Sequence, residues 1–194
     1  ENTVEAKEIA PWGKLLKSSQ FWSLGLQFMI TDYIMYVFLA WLPLYLMEVH
    51  GFSLSKMGLW AAAPWLSLMA VVSCCGYLSD KAIAAGFSQN LVKTSTGAVG
   101  ILLCACTLFI ATRTADPMMN VFWLSVALGS LGLTMSASWS SVISMGGRFA
   151  GSVSGWMNFW GNIGGVLAPS VTAWVATTYG WQAALAVTAV SGIA

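Results

Sequence analysis

Few side chains in this sequence could do chemistry, and most of them lie in apolar surroundings. Asp32 falls near the middle of the apolar stretch Phe21–Met47, with Tyr33 beside it and Tyr36 one helical turn on. An unpaired carboxylate there costs several kcal/mol, or else it takes up a proton. A protonatable carboxyl facing a cavity suits a proton-coupled or ion-coupled carrier. An Asp paired with a cation or hydrogen-bonded inside a helix bundle is the plainer alternative, and both readings stay open.

A second group lies in Gly147–Pro169, GRFAGSVSGWMNFWGNIGGVLAP. At about 100° per residue, Gly147, Gly151, Ser154, Gly155, Asn158, Gly161, Asn162 and Gly165 fall within an arc of roughly 120°. Val153, Trp156, Phe159, Trp160, Ile163 and Leu167 take the other side. A soluble amphipathic helix puts charge opposite its apolar face; this one puts glycine and asparagine there. It reads as a membrane helix with a narrow polar side toward protein or a cavity. Gly151/Gly155 and Gly161/Gly165 have the four-residue spacing that lets another backbone approach closely. The amides of Asn158 and Asn162 must pair with protein, water or substrate. A third group is the run Ser136, Ser138, Ser140, Ser141 and Ser144 around Trp139. Serine hydroxyls can line a polar path or bond back to their own helix; Ser140 and Ser141 are the better candidates for the first role.

Other chemistry finds no residues. There is no His-Glu-x-x-His, no Gly-x-Ser-x-Gly and one histidine, His50, in what reads as a solvated loop, so an intramembrane enzyme is not expected. Cys74, Cys75, Cys104 and Cys106 sit in apolar runs without metal-ligand or disulfide spacing and read as small buried hydrophobes. Neither metal nor cofactor is expected. The net charge of +1 leaves no footprint for nucleic acid.

The elements that must position these residues are membrane helices. The chain is 58% hydrophobic and 8% charged, against about 25% charged in average soluble domains; its mean hydropathy is +0.75. Residues 1–20 carry Glu1, Glu5, Glu8, Lys7, Lys14 and Lys17 and read as a cytoplasmic approach segment, amphipathic from Ala10 to Ser19. Spans are expected over Phe21–Met47, Met57–Leu78, Leu91–Thr112, Met118–Met145 and from Phe149 to about Thr178. Pro43, Pro64 and Pro169 mark kinks. Gly76–Gly86 reads as a short charged loop, and Gln182–Ala194 opens a sixth span that the chain cuts short. The first residue is Glu, so the sequence reads as excised from something longer. With a cytoplasmic N-terminus, Lys7, Lys14, Lys17, Lys81, Lys93 and Arg148 lie inside, and Lys56 and Arg113 outside.

Six spans with a charged loop between the second and third resemble one half of a major facilitator superfamily transporter. Gly76-Tyr77-Leu78-Ser79-Asp80-Lys81, with Gly86 downstream, is similar to that superfamily's loop motif, small-x-x-x-Asp-(Arg/Lys) and a later glycine. Three further stretches look like its anion:cation symporter family of bacterial sugar-acid carriers and vesicular glutamate and phosphate transporter relatives. These are Tyr33-x-x-Tyr36 with Trp41-Leu42-Pro43-Leu44-Tyr45-Leu46, the pair Pro64-Trp65, and Phe149–Asn158 with Gly161, Asn162, Gly165 and Pro169. Asp32 departs from the pattern, standing where an uncharged polar residue is expected. The resemblance implies an all-α membrane protein: a six-helix bundle over residues 21–194, the C-terminal half of a twelve-helix carrier in the bacterial inner membrane. Its implied partners are a small-molecule anion, protons, the lipid bilayer and an N-terminal six-helix half. Tyr33, Tyr36, Ser140, Ser141, Asn158 and Asn162 would bind substrate, Asp32 would serve coupling, and Gly76, Asp80, Lys81 and Gly86 would form a cytoplasmic gate. A carrier of a neutral or cationic solute, with Asp32 as counter-charge, and a non-transporting membrane subunit or fragment are the alternatives.

Overall fold

The computed structural model describes residues 10–193. Glu1, Glu5, Lys7 and Glu8 of the expected approach segment lie outside the described residues. All regular structure among those described is helical: α1 (Trp12–Leu15), α2 (Ser19–His50), α3 (Leu54–Trp60), α4 (Ala62–Ala84), α5 (Gln89–Arg113), α6 (Pro117–Gly146), α7 (Ala150–Tyr179) and α8 (Trp181–Ser191). Apolar helical stretches long enough to cross a membrane cover Ser19–His50, Leu54–Ala84, Gln89–Arg113 and Pro117–Tyr179. The last has 63 residues. As one helix it would run about 95 Å, three times a hydrocarbon core of about 30 Å. It is broken instead at Gly147, whose φ of +48° and ψ of −121° exclude other residue types, and a 3₁₀ turn over Gly147–Phe149 leads into α7.

The other boundaries follow from local chemistry. Ser53, Ser88 and Asp116 accept the amide hydrogens of Lys56, Leu91 and Met119 at 3.4, 3.3 and 2.7 Å, capping α3, α5 and α6. Pro117 fits the first turn of α6, where no donor is needed. The helix α2 closes with Gly51 N–H on Met47 O and Phe52 N–H on Leu46 O. Pro64 lacks the hydrogen that Trp60 O would accept, and α3 stops at Trp60. Pro43 and Pro169 lie inside continuous helices.

Three expectations change here. Gly76–Gly86 is not a loop: α4 runs through Gly76, Asp80 and Lys81 to Ala84, and the turn is made at Gly86 with φ +100°. His50 is not a solvated loop residue but the half-buried last residue of α2. Of the cysteines, Cys75 and Cys104 are buried while Cys74 and Cys106 are exposed.

The bundle is organised around α6, which packs against α2, α4, α5 and α7 and buries Leu124, Leu128 and Leu131 completely or almost so. Lipid tails are as apolar as these side chains, so helix association depends on close fit. Small residues supply it. A Cβ at Gly100 of α5 would lie 2.8 Å from Ser130 O of α6, and one at Gly132 of α6 would lie 3.3 Å from Leu68 O of α4. The parallel pair α2–α7 meets along Gly161, Gly164 and Gly165. Gly161 faces Phe28 and Asp32, Gly164 faces the backbone of Met29 and Tyr33, and Gly165 faces the Tyr36 ring. Gly151 and Gly155, the other expected pair, have no neighbour within 4 Å.

Gly164→Ala should therefore cost about 1–3 kcal/mol, the usual range for overpacking, because the obstacle is the main-chain carbonyl of Met29. Gly155→Ala should cost nothing measurable. Thermal unfolding of the purified full-length carrier compares the two; equal melting shifts would refute the assigned seam.

Candidate functional site

The α2–α7 seam gathers three of the expected residues. Asp32 is 7% exposed, and its carboxyl makes no hydrogen bond or ion pair with another described residue. It is pressed against Gly161, where a Cβ would collide with Oδ2. Tyr33 and Tyr36 are half-buried on the same side of α2. The Tyr36 ring lies flat enough on Gly165 that a Cβ there would be 3.0 Å from two ring carbons. Neither phenol hydroxyl is bonded to another described residue. Unpaired donors and acceptors at a membrane-buried helix contact carry a desolvation cost, so this cluster is poised for a partner.

The asparagines of α7 take an intermediate position. Asn158 is half-buried and donates from Nδ2 to Ser154 O at 2.9 Å; Asn162 is exposed and donates to Asn158 O at 2.7 Å. Each amide satisfies one donor on its own helix. The remaining hydrogen and the amide oxygen are unbonded among the described residues. Those groups could meet hydroxyls or carboxylate oxygens of a solute.

The serine run mostly bonds back. Ser141 Oγ donates to Ala137 O at 2.7 Å, Ser144 Oγ to Ser141 O at 3.1 Å and Ser138 Oγ to Thr134 O at 2.9 Å. Ser140 offers its carbonyl to Lys93 Nζ at 3.1 Å. No hydrogen bond joins Ser140 or Ser141 to the α2–α7 seam. Lys93, expected at the cytoplasmic end of the third span, is 8% exposed and crosses from α5 to α6. Its long apolar stem lets a charged head reach a carbonyl across the helix contact. Gln27, not singled out above, accepts a hydrogen bond from Ser138 Oγ at 3.2 Å and links α2 to α6. A lone amide in an apolar stretch was the available signal.

Of the expected gate residues, Gly76, Asp80 and Lys81 are helical, Gly86 makes the turn after α4, and all four are exposed. Lys81 Nζ lies 4.6 Å from the centre of the Tyr77 ring, a cation–π contact. Asp80 makes no hydrogen bond or ion pair with a described residue. Gly76 has open space around it.

Long apolar helices packed through glycine, with unpaired polar groups at a buried contact, define an integral multi-pass membrane protein. The Major Facilitator Superfamily profile matches residues 1–169, and the chain belongs to that family. It is 27% identical over 176 residues to a rice protein described as probable anion transporter 1, chloroplastic, covering 91% of this chain and 33% of the relative. It is 31% identical to a probable sulfoacetate transporter of Cupriavidus necator, covering 86% and 38%. It is 32% identical to a D-galactonate transporter of Escherichia coli, covering 78% and 35%. The chain thus spans about a third of the length of the curated relatives it matches.

The contact between Asp32 and Gly161 gives a double-mutant test. Gly161→Ala should destabilise the carrier, and Asp32→Ala should relieve most of that loss by vacating the space. A coupling energy of about 1 kcal/mol or more is expected from thermal unfolding of both single variants and the double variant. Strict additivity would refute the contact.

Proposed function

We propose that this chain forms the C-terminal six-helix half of a proton-coupled carrier of a small organic anion, a sugar acid or related carboxylate. The carrier works by alternating access, with substrate held between two six-helix halves. The observation that carries the reading is the set of unpaired groups on the α2–α7 seam: the Asp32 carboxyl and the Tyr33 and Tyr36 hydroxyls. The substrates for which two relatives are named, D-galactonate and sulfoacetate, are small anions, which supports the solute class.

In this reading Tyr33, Tyr36, Asn158 and Asn162 bind substrate hydroxyl and carboxylate groups. Ser140 or Ser141 contributes once the second half closes on α6. Asp32 takes up the coupled proton. Gly76, Asp80, Lys81 and Gly86 contact the other half at the cytoplasmic side, with Asp80 free to accept a bond from it. The N-terminus of the segment lies in the cytoplasm, because Lys14, Lys17, Lys81, Lys93 and Arg148 share one end of the bundle while Lys56 and Arg113 share the other. The membrane is a bacterial inner membrane, by likeness to the Escherichia and Cupriavidus relatives.

Uptake of radiolabelled D-galactonate and a panel of sugar acids by the full-length carrier tests this. Asn158→Ala and Tyr36→Phe should each lower uptake at least about tenfold at unchanged membrane expression, a loss of about 1.4 kcal/mol. Asp32→Asn should abolish accumulation driven by a proton gradient while leaving exchange of solute. An unpaired buried carboxylate also favours a second reading, a carrier of cations. Inhibition of uptake by organic cations, lost in Asp32→Asn, would replace the anion reading with that one.

A further inference from the structure

We infer that His50 is a proton-binding site, separate from the seam, whose protonation loosens the joint between the ends of α2, α5 and α6. The argument is the direction of a hydrogen-bond chain. Asn120, fully buried in the first turns of α6, places Nδ2 2.8 Å from Ala111 O at the end of α5 and 3.0 Å from Tyr45 Oη on α2. Thr114 O is a more distant third acceptor at 3.5 Å. The Ala111 carbonyl fixes the amide orientation, since a flipped amide would set oxygen against oxygen. Tyr45 Oη therefore accepts from Asn120, and its own hydrogen must go elsewhere. The acceptor within reach is His50 Nε2 at 3.3 Å. His50 completes the chain only with a lone pair on Nε2, as the neutral ring carrying its proton on Nδ1.

A second proton removes that lone pair. Nε2–H and the Tyr45 hydroxyl then face each other as donors. Tyr45 is 5% exposed, so its hydroxyl hydrogen has no water to turn to. Its alternative is Asn120 Oδ1, a buried oxygen with no partner, and reaching it requires the amide to leave Ala111 O. Facing Nε2–H, the hydroxyl loses its bond to His50 within α2; turned to Oδ1, it takes the amide from Ala111 O and breaks the tie between α6 and α5.

The surrounding charges are already engaged. Glu48 Oε2, two residues before His50 on α2, accepts Trp181 Nε1–H at 2.8 Å. Asp116 Oδ1 caps α6 on Met119 N–H. Arg113 lies over Phe109, 5.4 Å from its ring centre. Lys56 is exposed on α3, and the Phe52 and Trp181 rings supply the remaining wall, Phe52 against His50 and Trp181 against Tyr45. No carboxylate is bonded to the imidazole among the described residues. The tie is intact while His50 is neutral and is lost as pH falls through its titration.

Amide hydrogen exchange on the full-length carrier in phosphatidylethanolamine–phosphatidylglycerol nanodiscs tests this without any transport assay. After correction for intrinsic rates, amides over 111–122 should exchange about five- to tenfold faster at pH 5 than at pH 8. His50→Gln keeps an acceptor for Tyr45 but does not titrate, and should exchange equally slowly at both. The same pH dependence in wild type and His50→Gln would overturn the proposal. Nitrogen-15 spectra of the His50 ring give an independent check. A neutral ring protonated on Nδ1 at pH 8 is expected, and protonation on Nε2 would overturn the proposal even if His50→Gln does not fold. Loss of proton-driven uptake bears on Asp32 and leaves this inference standing.

Discussion

The contact on which the rest depends is that of Gly164 with the Met29 carbonyl. In lipid, helices gain little from burying apolar side chains against one another. Attraction must come from dispersion over a close fit and from polar groups that find partners. A Cβ at residue 164 would overlap the Met29 backbone, so glycine there sets how near α2 and α7 can come. That spacing in turn decides the fate of Asp32. With the two helices this close, its carboxyl lies against Gly161, shielded but unbonded. Were the helices a side chain further apart, water or lipid would fill the gap and the carboxyl would have no defined position. The same device recurs at Gly100 between α5 and α6 and at Gly129 and Gly132 between α6 and α4. α6 can therefore contact four helices while carrying short side chains where two of them approach.

Polar groups in this bundle divide into two populations. Most hydroxyls return to a carbonyl three or four residues back: Thr31, Ser73, Thr107, Ser125, Ser130, Ser141 and Thr188 all do so. Such bonds satisfy the side chain at no demand on its neighbours, and they carry no functional information. A smaller set either crosses between helices or remains open. Lys93 to Ser140, Ser138 to Gln27, Trp41 to Pro169 and Asn120 to Tyr45 cross. Asp32, Tyr33 and Tyr36 stay open. Single atoms are also open elsewhere, among them Asn120 Oδ1 and Ser136 Oγ; in a medium that offers no hydrogen bonds an open group is costly to keep, and the gathering of a carboxyl and two phenols at one seam is the physical reason to propose solute or proton there.

The span boundaries were legible because membrane thickness and glycine or proline breaks constrain them strongly. Predicted and observed ends of the fourth and fifth spans differ by a residue or so. The stretch from Gly76 to Ala84 was misread because charge was taken to mean loop. A helix that projects past the hydrocarbon gains charged residues without losing its backbone bonds, and only Gly86, with its positive φ, ends it. The helical wheel placed Gly151, Gly155, Gly161 and Gly165 on one side of α7, but the face that packs is turned from that arc toward Val153, Met157, Gly164 and Ala168, all buried. Gly161 and Gly165 share it, while Gly151 and Gly155 face away from it at a height where Val153 and Met157 are fully buried. Gly164, about 60° outside the arc on the Val153 side, proved the tightest contact. His50 was assigned to a solvated loop from its place after the first span, and Lys93 was only counted to the cytoplasmic side. A long stem carries Lys93 to a carbonyl forty-seven residues away and aromatic walls flank His50, and spacing in one dimension registers neither.

If the protein is the proposed proton-coupled carrier, the unusual residue of the seam, Asp32, would account for coupling on charge grounds alone. Two like charges at 4 Å repel by about 4 kcal/mol even at an effective dielectric of 20. An anionic solute bound beside Tyr33 and Tyr36 would therefore be opposed by an ionised Asp32, and accepted once that carboxyl holds a proton. In the proposed function, protonation before binding and release of both on the other side would follow from one side chain without a dedicated relay. Among the described residues Lys14, Lys17, Lys81, Lys93 and Arg148 lie toward one end of the bundle and no Lys or Arg is at the α2–α7 seam, so in that reading a positive group that draws the anion inward would belong to the other half. A half that supplies the proton acceptor and a second that supplies the anion's counter-charge would each bind weakly alone. Only their closure around solute and proton together cancels the charges, which is the condition for a carrier that does not leak either one.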